Sequence, residues 1–425
     1  IRELQIAQRT HRNIDRKHDE RVFFTTRDEV VNYPLTEELR CQWRELIANY
    51  QTIHEAERHA GMSGPPALNN SAWSRHIVSG SEERQLAIGT LCFAAFRDGH
   101  VTALYPVMIS RRLFESSPQS LISDSLRPAI ALTRLSPAER VFGWVNQRGK
   151  GAFRGNLRVG PAVCESDDAV EDFGTPGLPL AILGQPKPQQ ARFYVAASPN
   201  GEAQDTGLSK EKAGYSVGKG LRGRKVYPHH RVLQDQEYRR PPLNGQEQRD
   251  NQNRSIQGWV RPGTGFTFDL HVTNLSRVEL WALLWLLTLP AEHCHRLGGV
   301  KPLGFGSVRL EVESSQLHDG HGWKQIYSTL DDLTLPTADH QVLIHEFQEA
   351  VRTSYGSTAS FDDVSFIAAF LKMTQGFEDG LPIHYPRTSV SPDPAGENFR
   401  WFTANESGPQ VSLPHLAEDV GLPRQ

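Results

Sequence analysis

The stretch WVRPGTGFTFDLHVTNLSRVELWALLWLLTLPAEHCHRLGGVKPLGFGSVRLEV, residues 259–312, carries the strongest fold signal in this chain. Apolar and polar residues alternate over 266–272, which predicts a half-buried strand. Ser276 and Glu279 have the spacing of a capping box, so we expect a helix to begin at this point. The residues that follow, 278–289, are apolar nearly all round and predict a buried helix.

A glycine-rich loop over 298–306 and an alternating strand over 308–312 complete this block. The order is strand, helix, loop, strand. It differs from a P-loop, which needs GxxxxGK[ST], and from a dinucleotide fingerprint, which needs GxGxxG between a strand and a helix. Flexible glycines can bring backbone N–H groups to an anion, and Lys301 adds positive charge. A purely structural turn would also explain the glycines.

Outside this block, apolar periodicity and turn residues predict the remaining elements. We expect a hairpin whose turn, Arg97–His100, has Asp-Gly at its centre. The region 201–258 has almost no sustained apolar period, which predicts a long, polar, extended arm. The other expected elements are helices over 39–58, 342–355 and 361–373, and strands over 86–96, 101–109 and 191–197.

The composition limits where a polyanion could bind. The chain has 46 Lys and Arg against 49 Asp and Glu, a formal net charge of −3, so it is not basic throughout. Any contact with nucleic acid must come from local basic patches. One such patch is the segment 219–231, which holds five Lys or Arg, two His and no acidic residue. A solvated loop and an RNA-binding arm are both compatible with it, and the length of irregular chain around it favours the arm.

The cysteines and the apolar runs bear on the compartment. Four cysteines (Cys41, Cys92, Cys164 and Cys294) are far apart and form no CxxC pair, which argues against a disulfide framework and a cysteine-rich zinc site. We therefore expect the protein to reside in a reducing cytoplasm.

The longest apolar run has about 12 residues, or roughly 18 Å as a helix, too short for a bilayer, so we expect no membrane partner. Because the first residue is Ile1 and not Met, we expect further upstream sequence.

A metal site could also be indicated by three consecutive residues, His293, Cys294 and His295. Only the two histidines could share a metal, and no carboxylate or further cysteine lies nearby in the pattern. A helix C-terminus favours positive charge, which explains the histidines and Arg296 without a metal. We therefore expect no metal site and no cofactor in this chain.

Several motifs resemble a known superfamily. The helix-loop-strand order ending in LGGVKPLGFGSVRLEV (297–312) is similar to the C-terminal glycine-rich loop of RAMP proteins, which build type III CRISPR effectors. Four further segments look like a large RAMP subgroup, and one is similar to the IDR-type segment of RAMP backbone subunits. These segments are LSPAERVFGWV (135–145), GAFRGNLRV (151–159), LRGRKVYPHH (221–230), WVRPGTGFTFDLHVTNLS (259–276) and, IDR-like, HRNIDRKHDERVFF (11–24).

The resemblance implies an α+β fold with a ferredoxin-like (RRM-like) RAMP core, long insertions and a helical C-terminal extension. On that basis 1–173 is the N-terminal part of the RAMP region with insertions, and 174–190 is a connector. The second half of the core, with the basic arm and the glycine-rich loop, occupies 191–315, and 316–425 is the helical extension.

The resemblance also implies a function: binding of the guide RNA (crRNA) and recognition of target RNA within a type III antiviral effector complex. The partners would be crRNA, target RNA and other RAMP subunits. The residues expected to bind RNA are basic, aromatic or glycine residues, namely His11, Arg12, Arg16, Arg154, Lys219, Arg222, Arg224, Lys225, Tyr227, His229, His230, Arg231, Gly298, Gly299, Lys301, Gly304 and Gly306.

The chain departs from the family pattern near its start. The strand and the loop with the target-cleaving Asp that precede the IDR-type segment are not found, and the TG glycine loop after it is replaced by 17–20 (KHDE). We therefore assign no catalytic residue, and a divalent metal would serve cleavage elsewhere in the complex. The carboxylates Asp15, Asp19 and Glu20 are expected to pair with neighbouring arginines.

Three alternatives stay open. The chain could be the C-terminal segment of a giant single-chain RAMP effector that cleaves target RNA. It could be a stand-alone metal-dependent ribonuclease using His229, His230 and Asp235. It could also be a nucleotide-binding enzyme that uses the loop over 298–306.

Overall fold

The computed structural model describes residues 3–7, 11–13, 21–23, 30–55, 80–88, 90–106, 114–183, 190–222, 226–231, 237–249, 253–329, 340–355, 360–378, 381 and 400–416. Within these ranges the helices are α1 (Glu37–Ile53), α2 (Pro137–Phe142), α3 (Arg277–Leu287), α4 (Gly320–Thr329), α5 (His340–Tyr355), α6 (Ser365–Gln375) and α7 (Trp401–Ser407). The chain divides into two compact units, Ile1–Glu115 and Ser116–Gln425.

The strands are short. They are β1 (Glu3–Ala7), β2 (His11–Asn13), β3 (Arg21–Phe23), β4 (Val30–Pro34), β5 (Cys92–Arg97), β6 (His100–Pro106), β7 (Trp144–Val145), β8 (Ala152–Phe153), β9 (Leu157–Val159), β10 (Val163–Cys164), β11 (Val170–Asp172), β12 (Leu178–Pro179), β13 (Val195–Ala196), β14 (Gly220–Leu221), β15 (Ser255–Ile256), β16 (Gly258–Val260), β17 (Phe266–Thr267), β18 (Leu270–Val272), β19 (His295–Arg296) and β20 (Ser307–Val308). All ten pairings among the described strands are antiparallel and join two strands each.

The first unit confirms the predicted hairpin. β5 pairs with β6, and both turn residues have positive φ, 51° at Asp98 and 78° at Gly99. That conformation is the reason Asp-Gly is favoured in two-residue hairpin turns. The apolar face of α1 packs on this hairpin, with Trp43 and Ile47 fully buried against Leu104. In the same unit β1 pairs with β4, and β2 pairs with β3.

In the second unit, four strand pairs follow one another along a two-stranded ribbon that joins 157–179 to 255–272. The predicted single strand over 266–272 is divided into β17 and β18, which pair with β10 and β9. The interruption faces Gly160 and Pro161 of the opposite strand, where the Gly160 N–H donates to the Asp269 carbonyl over 2.8 Å. Proline cannot donate the next hydrogen bond, so the ladder stops there.

Helix α3 begins at the predicted capping box, because Ser276 accepts from the Glu279 N–H and the Glu279 carboxylate accepts in return from the Ser276 N–H. Its predicted burial is achieved by the C-terminal helices. Trp281 and Leu284 pack with apolar side chains of α5 and α6, and Trp281 Nε1 donates to Glu346 over 3.0 Å. Both predicted C-terminal helices are therefore present, and they share a core with α3.

Three further helices were not predicted, α2, α4 and α7. Helix α7 is held by Arg192, whose buried guanidinium donates to Glu406 over 2.9 Å and to two backbone carbonyls. Phe193 packs beside it against Trp401 and Phe402.

The mixture of helices and small antiparallel sheets confirms the α+β class. The predicted order of strand, helix, loop and strand is found as β18, α3, the glycine-rich loop and β20, but β20 covers only Ser307–Val308 where a strand over 308–312 was predicted, and the unpredicted β19 precedes the loop. Among the described residues, β18 pairs with β9 and β19 pairs with β20. The ferredoxin-like arrangement and the four predicted segment boundaries stay predictions.

Candidate nucleic-acid interface

The basic segment 219–231 is described over 219–222 and 226–231, and the second of these parts, called the arm from this point, lies along the C-terminal end of α6. The His229 N–H donates to the Met373 carbonyl over 2.8 Å, and Arg231 Nε donates to the Gln375 carbonyl over 2.9 Å. Gly376, with φ 79°, permits this approach, because a Cβ there would lie 2.3 Å from the His229 carbonyl oxygen. The arm is therefore held by one backbone and one side-chain hydrogen bond to carbonyls at a helix end.

The glycine-rich loop is the turn of the β19–β20 hairpin. The Leu297 N–H donates to the Gly306 carbonyl over 2.7 Å and closes the loop. Gly298, Gly304 and Gly306 have positive φ, and a Cβ on Gly306 would lie 1.8 Å from the Leu297 carbonyl oxygen. At Gly306, glycine is thus required by the close approach of two backbone segments as well as by its conformation.

Arg296 supports the loop from inside. Its guanidinium donates to the Lys301 carbonyl over 2.9 Å, to the Gly304 carbonyl over 3.3 Å and to Ser307 Oγ. Its Nε is buried and has no acceptor in the described part of the chain. Burial lowers the pKa of Arg296 below its ordinary value, and the group stays charged at neutral pH because that value is so high. Sequence reasoning noticed Arg296 only as charge at a helix end and missed its role in the loop.

The loop and the arm meet at one hydrogen bond. His229 Nδ1 lies 2.8 Å from Ser307 Oγ, which joins residues 78 positions apart in the sequence. Burial, followed by the nearby charges of Arg296 and Arg231, lowers the pKa of His229 below its ordinary value, so the ring is neutral at pH 7. Ser307 was not predicted as a site residue, and a lone serine after a glycine loop offers little signal in sequence.

The outer edge of the loop is open. Gly298 and Gly299 are exposed, and no atom lies within 4 Å of where a Cβ would stand on either. Their N–H groups have no acceptor among the described residues. The base of the loop is fixed, because Leu303 is buried and Phe305 packs edge-on against Tyr238. Fixed exposed N–H groups beside cationic side chains can bind an anion.

Lys301, two residues after Gly299, and Arg231, two residues after His229, are half-buried. Arg231 already forms an ion pair with the exposed carboxylate of Glu378. Tyr227 and His230 are also half-buried, and His230 forms an isolated bridge with Phe377. Through the His229–Ser307 contact the structure therefore joins the part of the arm that holds four predicted site residues to the hairpin that holds five more.

Other predicted site residues lie elsewhere. Lys219 Nζ donates to Gln204 Oε1 over 2.9 Å and to the carbonyls of Gly214 and Lys212, and partial burial lowers its pKa. This ammonium group therefore binds oxygens of its own fold. The Arg222 N–H donates to the Tyr194 carbonyl over 2.9 Å, which places this residue at the β13–β14 pair.

Arg154 is exposed after β8, and no described hydrogen bond joins it to the arm or the loop. Outside the described residues lie Arg16, Arg224, Lys225 and Asp235, together with Asp15, Asp19 and Glu20. His11 and Arg12 lie on β2, where only the backbone is described.

The histidines after α3 have internal partners. His293 Nδ1 lies 2.8 Å from Thr374 Oγ1, and His295 Nε2 lies 2.8 Å from the Leu286 carbonyl at the end of α3. Burial lowers the pKa of His293, which therefore favours the neutral form and not the cation expected at a helix end. Among the described residues, no three His, Cys, Asp or Glu side chains are grouped to hold a metal, and no helix is long and apolar enough to cross a membrane.

The junction of the arm and the loop is the contact between His229 and Ser307. The exposed backbone of Gly298 and Gly299, called here the cradle, lies on a loop whose base is fixed. The loop and the arm also contribute the half-buried cations Lys301 and Arg231. No protein-family model and no curated protein sequence matches this chain.

Proposed function

We propose that this chain binds guide RNA and positions it for pairing with target RNA, as a RAMP subunit of a type III CRISPR effector. The observation that carries the proposal is the His229–Ser307 contact, which joins a basic arm to an open glycine loop. Two of the motifs that resemble the RAMP superfamily, 221–230 and 297–312, lie in these two segments. The His229–Ser307 contact and the sequence likeness support the proposal independently of each other.

The chemistry of the cradle suits a phosphate backbone. Gly298 and Gly299 present N–H groups without a Cβ to hold an anion away, and Lys301 supplies charge at the same edge. Backbone N–H groups and a lysine do not read base edges, so the bases of the bound strand remain free to pair. Sequence specificity would then come from the guide and not from side chains.

The finer assignments belong to the same proposal. The block 259–312, with β18, α3 and β20, would be the second half of a ferredoxin-like RAMP core, completed by other strands of the region or by neighbouring subunits. The partners would be crRNA, target RNA and further RAMP subunits or segments. Four free cysteines are compatible with a cytoplasmic location. Any divalent metal would act in cleavage elsewhere in the complex.

The test is a single charge placed in the cradle. Gly299 has no positive φ and open space around it, so Gly299→Asp should fold normally while its carboxylate repels phosphate. We expect RNA affinity, measured by fluorescence anisotropy, to fall at least about tenfold, with an unchanged melting temperature.

The matched control is Gly320→Asp, because Gly320 also has open space and no positive φ, and it lies at the start of α4. It should bind RNA like the wild type. Wild-type affinity in Gly299→Asp, or an equal loss in both variants, would contradict the proposal.

A further inference from the structure

A second cationic surface lies around the β7–β8 hairpin. Between residues 127 and 158 the sequence has seven Arg or Lys and a single acidic residue, Glu139. The Glu139 carboxylate accepts hydrogen bonds from the N–H groups of Ser136 and Ala129, and these, chiefly the one from Ser136, lower its pKa. The only acidic side chain of the segment thus accepts hydrogen bonds from the backbone of the same segment.

Two of the seven cations have acidic partners. Arg127 pairs with Asp124, and Arg140 pairs with the buried Glu279 over 2.6 Å. The other five are exposed, and none has an ion pair within the described part of the chain. These five residues, called here the hairpin cations, are Arg134, Arg148, Lys150, Arg154 and Arg158.

A rigid framework holds these cations on one block. The Trp144 Nε1 donates to the Ala129 carbonyl over 3.0 Å, and the Asn156 N–H donates to the Val141 carbonyl over 2.9 Å. Gly143 and Gly155 pack backbone to backbone, since a Cβ on Gly155 would lie 2.7 Å from the Phe142 carbonyl oxygen. The end of α2, the hairpin and the residues after it are therefore fixed to each other.

Large apolar side chains are exposed on the same block. Phe142 is 72% exposed, at the end of α2 and in backbone contact with the segment that carries Arg154. Val145 is 63% exposed, and its cross-strand partner Ala152 is exposed as well. Solvation of a basic surface does not explain why the Phe142 ring is exposed on it. An exposed ring on a block that also carries exposed arginines can bind unpaired bases, because the ring stacks on a base while an arginine pairs with a phosphate.

We propose that the hairpin cations and Phe142 form a second RNA-binding surface, specific for single-stranded RNA. The inference rests on the proposed function and adds a substrate class to it. An RNA duplex keeps its bases stacked inside, so it could use the cations but would leave the Phe142 ring without a base. The surface would therefore hold a stretch of guide or target that is not paired.

The test uses the full chain, a labelled oligouridine of about 15 nucleotides and a labelled RNA duplex, with affinities measured over a range of salt. The triple variant Arg148→Gln, Lys150→Gln, Arg154→Gln should bind the oligouridine at least about tenfold more weakly. It should also lower the slope of log affinity against log salt by about 2, since each single-strand phosphate contact contributes about 0.7. Phe142→Ala should weaken oligouridine binding severalfold, keep the salt slope and leave duplex binding unchanged.

The control is Lys210→Gln with Lys212→Gln, two exposed lysines outside the block, which should bind like the wild type. If Gly299→Asp weakens RNA binding while the hairpin variants match the wild type, this inference is wrong and the proposed function stands. If the wild type binds neither RNA, both fail. If the triple variant keeps its RNA affinity and loses binding to a poly-glutamate peptide, the surface takes an acidic protein segment and the inference is overturned.

Discussion

Replacing Gly306 by alanine should open the β19–β20 hairpin, and Gly298 provides a matched comparison. Both glycines have φ +81°, so alanine at either site carries the same left-handed backbone strain, about 1–2 kcal/mol. At Gly298 nothing lies within 4 Å of the new Cβ, whereas at Gly306 the Leu297 carbonyl oxygen would be 1.8 Å away. Relieving that clash requires the two strands to separate, which breaks the 2.7 Å Leu297–Gly306 hydrogen bond at a further cost of about 1 kcal/mol or more.

We therefore expect Gly298→Ala to lower the free energy of unfolding by about 1–2 kcal/mol and Gly306→Ala by about 3 kcal/mol or more. Urea denaturation monitored by tryptophan fluorescence measures both, since Trp259 packs against Phe305 in the loop. A difference between the variants below about 0.5 kcal/mol would refute the close-approach argument. The loop would then need glycine for its backbone conformation alone.

Three further changes test other contacts. Arg192→Met should cost about 3 kcal/mol in the free energy of unfolding, because it leaves Glu406 without its buried partner; an unchanged urea midpoint would contradict this. Glu378→Gln should raise RNA affinity severalfold at low salt by releasing Arg231 from its ion pair, and an anisotropy titration with equal affinity would argue against an arm that binds phosphate. Burial is the main cause of the lowered pKa of His293, so below about pH 6.5 the unfolded chain binds a proton at this residue that the folded chain does not bind. The free energy of unfolding should therefore fall as the pH drops through that value, and His293→Gln should weaken this pH dependence.

Local patterns predicted the main helices and turns better than the strands, since the strands expected over 191–197 and 308–312 were wrong over most of their length and are reduced to β13 and β20. The Asp-Gly turn, the capping box at Ser276 and Glu279, and the three helices expected over 39–58, 342–355 and 361–373 were all found, with ends shifted by a few residues. Each depends on residues within a few positions of one another. The short helices α2, α4 and α7 have no long apolar period and were not predicted, and α7 is held in place by the distant Arg192.

The candidate site was predicted only as two separate segments. Composition identified the arm and the loop, but it grouped Lys219 with the arm, whereas the fold uses that ammonium group to bind its own carbonyls. It gave no weight to Ser307, which makes the contact between the segments. Whether a lysine faces solvent or an internal carbonyl depends on packing that a charge count does not contain.

The sequence alone determined the α+β class, the order of the main elements and the two regions where anions could bind. These follow from dihedral preferences, apolar periodicity and charge, which act over short stretches of chain. Only the tertiary structure decided that α3 is buried by α5 and α6 and that His229 meets Ser307. It also left five cations around the β7–β8 hairpin exposed, with no ion pair to any residue that the structure describes. Those outcomes depend on which distant surfaces pack together, and many pairings are compatible with the same local pattern until burial and hydrogen bonding select one.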